Sequence, residues 1–201
     1  LAGYNYVVQN PIEQHRKNYP NRIAYGSEET SGCGTRGVYF NETSGSEMPD
    51  YAQDQYDEFM KRNPSGRMPA FNRCADKDST VNRIARGWKF YDERPWLLGC
   101  FYWTGFDYRG EPNPMSWPAT GSQFGILDYC GFPKDEAFYL QSCWTSEPMV
   151  YVSSNWNQAS CEGESVDLWI YSNCEEIRLF LNGIQIGKKS MPEYGHISWP
   201  V

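Results

Sequence analysis

Two hydrophobic rhythms divide the chain. Up to about residue 147, short apolar runs alternate with longer stretches of helical period. Residues 3–8 read as a strand, and residues 11–18 as a short helix with Pro11 at its start, where a missing N–H costs nothing. Residues 22–26 read as a second strand, and residues 51–62 and 80–91 as helices. Residues 97–103 are apolar without interruption, as expected of a strand covered on both faces, and residues 134–143 read as a closing helix. Strands alternating with helices imply a parallel sheet and an α/β fold.

From about Pro148 the period becomes two. Val166, Leu168 and Ile170 alternate with Asp167, Trp169 and Tyr171, and Ile177, Leu179 and Leu181 alternate with Arg178 and Phe180. That is the rhythm of half-buried antiparallel strands. Asn182-Gly183 between Leu181 and Ile184 predicts a type I′ hairpin, because both residues tolerate positive φ. The pattern therefore predicts two domains, residues 1–146 and 147–201. The second is about 55 residues, fewer than the roughly 100 of a complete immunoglobulin-like sandwich.

Composition narrows the function. The 201 residues are 40% hydrophobic, enough for a sizeable core, and carry a net charge of -7. Lys and Arg are not concentrated in one stretch, so no nucleic-acid partner is expected. The longest strongly apolar run, residues 96–103, is far short of the roughly 20 residues of a membrane-spanning helix, so no membrane partner is expected either. Seven cysteines form no Cys-x-x-Cys pair, so neither a zinc site nor a disulfide framework is legible. Thiols in apolar context, such as Cys100, read as small buried hydrophobes and lean towards a reducing compartment, the cytoplasm ahead of the periplasm or secretion. Leu1 opens inside a domain-like pattern and residues 197–201 stop in an alternating segment, so a longer polypeptide is expected.

Two segments carry candidate chemistry. Tyr25-Gly26-Ser27-Glu28-Glu29 brings two carboxylates to a strand end, the side on which α/β barrels build active sites. The alternative is a surface carboxylate favoured by a following helix dipole. The second segment, residues 101–112, is dense in aromatic residues among carboxylates and glycines. Trp103, Phe106, Tyr108 and, further on, Trp117 suit the apolar face of a sugar, or else a packed core. His15 and His196 lie in no nucleophile motif, and a Gly-rich phosphate loop is absent from the sequence.

The run Trp103-Thr104-Gly105-Phe106-Asp107-Tyr108-Arg109-Gly110-Glu111-Pro112-Asn113-Pro114 is followed by Phe124-Gly125-Ile126-Leu127-Asp128, Gly131-Phe132-Pro133-Lys134-Asp135 and Tyr171-Ser172-Asn173-Cys174. In order and spacing it resembles the β-galactosidases of glycoside hydrolase family 2, over essentially the whole chain. The resemblance implies strands six to eight of a (β/α)8 TIM barrel followed by an incomplete immunoglobulin-like β-sandwich. It implies Glu28 as nucleophile, with Glu29 standing where the family more often has Thr. Tyr6 would hydrogen-bond the nucleophile, Trp103 would stack on the sugar, and Asn5, Asp107 and Phe124 are further pocket candidates.

The implied activity is retaining hydrolysis of terminal β-galactosides in oligo- or polysaccharides, and the implied partners are that substrate, the rest of the polypeptide and further copies in a homo-oligomer. The second carboxylate of such chemistry belongs to the fourth barrel strand, upstream of these residues, so the fragment alone is expected to be inactive. Asn41-Glu42 is a poor substitute, lying downstream of Glu28 in a Gly/Ser-rich loop. Family glucuronidases carry Asn-x-Lys where this chain has Ser122-Gln123-Phe124, which disfavours glucuronides; another neutral β-glycoside or a non-catalytic sugar-binding role are the alternatives. No metal or cofactor is expected from these residues, although some relatives use Mg²⁺ or Na⁺ near the sugar.

Overall fold

The computed structural model describes residues 1–7, 10–30, 80–111, 118, 120–153, 163, 165 and 167–201. The predicted helix at 51–62, Trp117 and the Asn41-Glu42 pair lie outside them. The described residues divide into two units, Leu1–Lys134 and Asp135–Val201.

The first unit is built on three parallel strands, β1 (Ala2–Asn5), β2 (Ala24–Thr30) and β3 (Leu97–Trp103), in the order β1-β2-β3. Helix α1 (Ile12–Asn18) lies between the first two in sequence, and α2 (Thr80–Asp92) precedes the third. Gly26 and two glutamates make β2 a poor strand former, and its central position, paired on both edges, overrides that propensity. The core beneath the sheet joins Val7, Ile12, Ala24, Tyr91 and Leu97. Burial of each large side chain there is worth about 1.5–3 kcal/mol. On the opposite side, Ile23, Leu98 and Phe101 stay exposed. Among the described residues the parallel sheet of this unit consists of these three strands.

The sequence pattern ends the second strand at residue 26, but β2 runs four residues further. Its register explains why. Tyr4 and Asn5 face Gly26 and Glu28, and Gly26 and Glu29 face Cys100 and Tyr102, so β2 carries one extra residue against both neighbours. A β-bulge of this kind breaks the strict alternation of side chains.

After β3, residues 104–107 run beside residues 124–127. Thr104 N–H donates to the Phe124 carbonyl at 3.0 Å, and Ile126 N–H returns to the Thr104 carbonyl at 3.0 Å. The short strands β4 (Tyr108–Arg109) and β5 (Gly121–Ser122) extend the pairing.

The second unit comprises α3 (Asp135–Trp144), β6 (Val150–Ser153), β7 (Asp167–Ser172), β8 (Glu176–Leu181), β9 (Ile184–Ser190) and β10 (Ile197–Pro200). One antiparallel sheet has the order β10-β7-β6, and β8 and β9 form a hairpin. Leu168, Ile170, Ile177, Ile197 and Trp199 join the two in one core. Asn182 and Gly183 both have positive φ, 49° and 83°, as the turn chemistry predicts. The helix α3 groups with this unit, ahead of the pattern-based boundary at 146, because Phe138 stacks on Tyr151 with centroids 3.7 Å apart.

Candidate active site

The bulge decides which carboxylate faces where. Ser27 is exposed, Glu28 half-buried and Glu29 buried at 1% exposure. Ser27 and Glu28 both reach Asn5: the Ser27 hydroxyl donates to Asn5 Oδ1 at 2.7 Å, and Asn5 Nδ2 donates to Glu28 Oε2 at 3.3 Å. Tyr6 donates its hydroxyl to Glu28 Oε1 at 2.6 Å. Each Glu28 oxygen thus accepts a hydrogen bond from the first strand or the turn after it.

That turn is tightly determined. Tyr6 has φ 50°, the left-handed region that side chains other than Gly seldom occupy. Its N–H donates to the Glu28 carbonyl at 2.8 Å, and Asn10 Nδ2 donates to the carbonyls of Asn5 and Tyr6 at 3.0 and 3.1 Å. From the buried side, Glu29 Oε1 accepts from the Val7 N–H and, at 2.8 Å, from the Tyr91 hydroxyl. The adjacent Cys100 thiol is pushed up to about 12, by burial first and by the charge of Glu29 second.

Trp103 ends β3 with 38% of its surface exposed. Its ring meets Tyr108 edge-on, with centroids 5.9 Å apart, and its Nε1 donates to the Tyr108 hydroxyl at 3.3 Å. The Tyr108 hydroxyl donates in turn to Glu111 Oε2 at 3.1 Å. An indole half open to solvent, with its N–H engaged, presents a ring face to a ligand. The peptide bond between Trp103 and Thr104 is cis.

The other two pocket candidates point elsewhere. Phe124 is buried at 7% exposure. The Asp107 carboxylate accepts from Lys134 Nζ at 2.7 Å and from the Gly125 N–H at 2.9 Å. Both charged groups are nearly covered, and Lys134 also donates to the Gln123 carbonyl at 3.1 Å. Burial, outweighing Lys134, holds the Asp107 carboxyl above its usual range. This pair ties residues 123–125 to the turn after Trp103.

The structure therefore brings together Asn5, Tyr6 and Glu28, places Trp103 at the end of β3, the strand paired with β2, and buries Asp107 and Phe124. The sequence alone assigns Asn10, Tyr91 and Lys134 no part in this arrangement. Lys134 sits inside Phe132-Pro133-Lys134-Asp135, where its charge and place at a helix start suggest the surface. His15 Nδ1 lies 3.0 Å from the Tyr4 hydroxyl, and His196 stacks on Trp169 with centroids 3.9 Å apart.

Comparison with known proteins finds this chain similar to sugar-cleaving enzymes. A β-galactosidase of Bacteroides ovatus is 32% identical over an alignment of 219 residues that covers 100% of this chain and 23% of the relative. A Formosa agariphila protein bearing a provisional β-glucuronidase name is 36% identical over 169 residues, 77% of this chain and 16% of its own. A β-glycosidase from Bacteroides vulgatus superposes with a TM-score of 0.73 at 28% identity, over 99% of this chain and 27% of that one. A model described as Domain of unknown function (DUF4982) matches residues 163–201.

The homologues are glycosidases of glycoside hydrolase family 2. This chain spans about a quarter or less of their length, and the two curated relatives are named for different sugars, one for galactoside and one for glucuronide.

Proposed function

We propose that this chain contributes the nucleophile and part of the sugar platform to a retaining β-glycosidase, with β-galactosides as substrate. The observation that carries the reading is Glu28. It stands at the C-terminal end of a parallel strand, beside the open face of the sheet, with both carboxylate oxygens oriented by Tyr6 and Asn5. In a (β/α)8 barrel that end of the strand faces the active site.

In the proposed reaction Glu28 attacks the anomeric carbon from one face. An acid about 5–5.5 Å away protonates the leaving oxygen, and the same group, as base, then directs water onto the glycosyl-enzyme. Glu29 does not supply that acid, since its carboxylate accepts from Val7 and Tyr91 on the buried side. The acid is proposed to come from chain outside these residues. Trp103 offers its ring to the apolar face of the sugar.

A neutral sugar is favoured over a glucuronide by residues 122–125. Family glucuronidases carry Asn-x-Lys where this chain has Ser122-Gln123-Phe124, and Ser122 is fully covered. The glucuronidase relative keeps the alternative in the test.

The test is hydrolysis of nitrophenyl β-galactoside, β-glucoside, β-mannoside and β-glucuronide by the full-length protein, with Glu28→Gln and Glu29→Gln beside it. The galactoside should be cleaved, and Glu28→Gln should lower turnover by roughly 10³-fold or more. Glu29→Gln, which keeps an acceptor oxygen, should stay within about fivefold of the parent. Preferential cleavage of the glucuronide would reassign the sugar; a harmless Glu28→Gln would end the nucleophile assignment.

A further inference from the structure

Building on Glu28 as nucleophile, we infer that Glu29 is a positioning residue that sets the aim of Glu28 through the Tyr6–Val7 turn. Three observations carry this. The Glu29 carboxylate, 1% exposed, accepts the N–H of Val7, the residue directly after the tyrosine whose hydroxyl grips Glu28. Tyr6 itself sits at φ 50°, a conformation that persists only where surrounding contacts fix it. Finally, Tyr91 crosses from α2 to donate to the same Glu29 oxygen, at 2.8 Å.

The crossing has a visible requirement. A Cβ on Gly26 would stand 1.9 Å from the Tyr91 hydroxyl, so only glycine at that point of β2 leaves the path to Glu29 open. The same bulge that turns Glu28 towards Asn5 turns Glu29 into the sheet's covered side. Adjacent residues thus work on one tyrosine from two directions: Glu28 receives its hydroxyl, and Glu29 anchors the backbone that carries it. The arrangement accounts for a carboxylate where the resemblance would more often have threonine, whose shorter side chain reaches less far.

A buried carboxylate acting in this way should affect the chemical step more than sugar affinity. Glu29→Met removes both acceptor bonds at similar volume, and Glu29→Gln keeps an oxygen for them. The probe is the dinitrophenyl 2-deoxy-2-fluoro-β-galactoside, with its glucuronide counterpart beside it, applied to the full-length protein; the rate of covalent labelling reads attack by the nucleophile, and peptide mapping finds the labelled residue.

The expected result is label on Glu28 and labelling by Glu29→Met slowed by about tenfold or more. Apparent probe affinity should stay within about threefold, and Glu29→Gln should restore most of the rate. Because the route runs through Tyr6, the double variant Tyr6→Phe/Glu29→Met should be little slower than the slower single variant. If Glu29→Met does not fold, Tyr91→Phe replaces it in the same cycle, with a slowing of about threefold to tenfold.

Wild-type labelling rates in the folded variant, or effects that multiply in the double variant, overturn this inference while leaving Glu28 in place. Label on a residue other than Glu28 overturns the nucleophile assignment, and the inference with it.

Discussion

The two units use polar groups differently. In Leu1–Lys134 charges are drawn inside: Glu29 accepts from Val7 and Tyr91, and Lys134 grips Asp107 with both side chains nearly covered. In Asp135–Val201 the loop closures are made by uncharged side chains, and the buried carboxylates, Asp135 and Glu136, stand in the first turn of α3, where the helix N-terminus favours negative charge. The Ser172 hydroxyl donates to the Met149 carbonyl at 2.7 Å, and Asn173 donates to the carbonyls of Thr145 and Glu147 at 3.0 and 2.8 Å. The ion pairs of the hairpin, Glu176 with Arg178 and Lys188, lie at its surface. Dehydrating a charge is costly, whereas a neutral loop closure is cheap. The first unit accepts that cost beside the strand ends that carry Glu28 and Trp103.

The largest stability effect should come from stranding a buried charge. Lys134→Met leaves Asp107 without its partner and should cost about 3–5 kcal/mol, seen as a lower melting temperature of the full-length protein. Adding Asp107→Leu to that variant should recover much of the loss, because an apolar pair of similar volume avoids the dehydration cost.

The pH dependence of that deficit has a definite sign. Burial already holds the Asp107 carboxyl above its ordinary range, and removing Lys134 raises it further. The native state then binds the proton more tightly than the unfolded state, so the group's contribution becomes more favourable as pH falls through its native pKa and less so as pH rises. The Lys134→Met deficit should therefore be greatest at neutral pH and shrink in acid, which melting curves across pH would show.

A smaller effect, confined to the framework, should follow Gly183→Val. A branched side chain at φ 83° costs about 1–2 kcal/mol. Melting should fall while turnover per folded molecule stays unchanged; a loss of turnover would erase the contrast between the units. Smallest is a difference in reactivity between two thiols. Cys130 is exposed, whereas Cys100 is partly buried and pushed up to about 12. Iodoacetamide near pH 8 should label Cys130 well before Cys100, as mass spectrometry of the modified peptides would reveal.

Much of the first unit was legible because its signals are local. The unbroken apolar run of β3 gave both of its ends, and the rhythm at residues 80–91 gave α2 to within a residue. Asn182-Gly183 announced its hairpin because positive φ selects those residues. What stayed hidden was non-local. Nothing in Tyr25-Gly26-Ser27-Glu28-Glu29 announces a bulge, since the extra residue exists only relative to β1 and β3. Glu29 stands in sequence only as a departure from the family's more usual Thr, because its partner Tyr91 lies 62 positions on. The burial of Lys134 is equally non-local, for its partner Asp107 is 27 residues earlier. The helix α3 was found by its pattern, but its allegiance to the second unit rests on Phe138 and Tyr151, which no window of sequence brings together.

The uncovered side of β1-β2-β3 has a bearing on how this polypeptide behaves in bulk. Ile23, Leu98 and Phe101 expose 52%, 71% and 67% of their surfaces on that unit. Such side chains lower the colloidal stability of any species that leaves them wet, favouring self-adhesion as concentration rises. The apparent molar mass of these 201 residues alone, read by light scattering, should rise with concentration, and a second polypeptide that covers the patch should suppress that rise and raise the melting point by mass action.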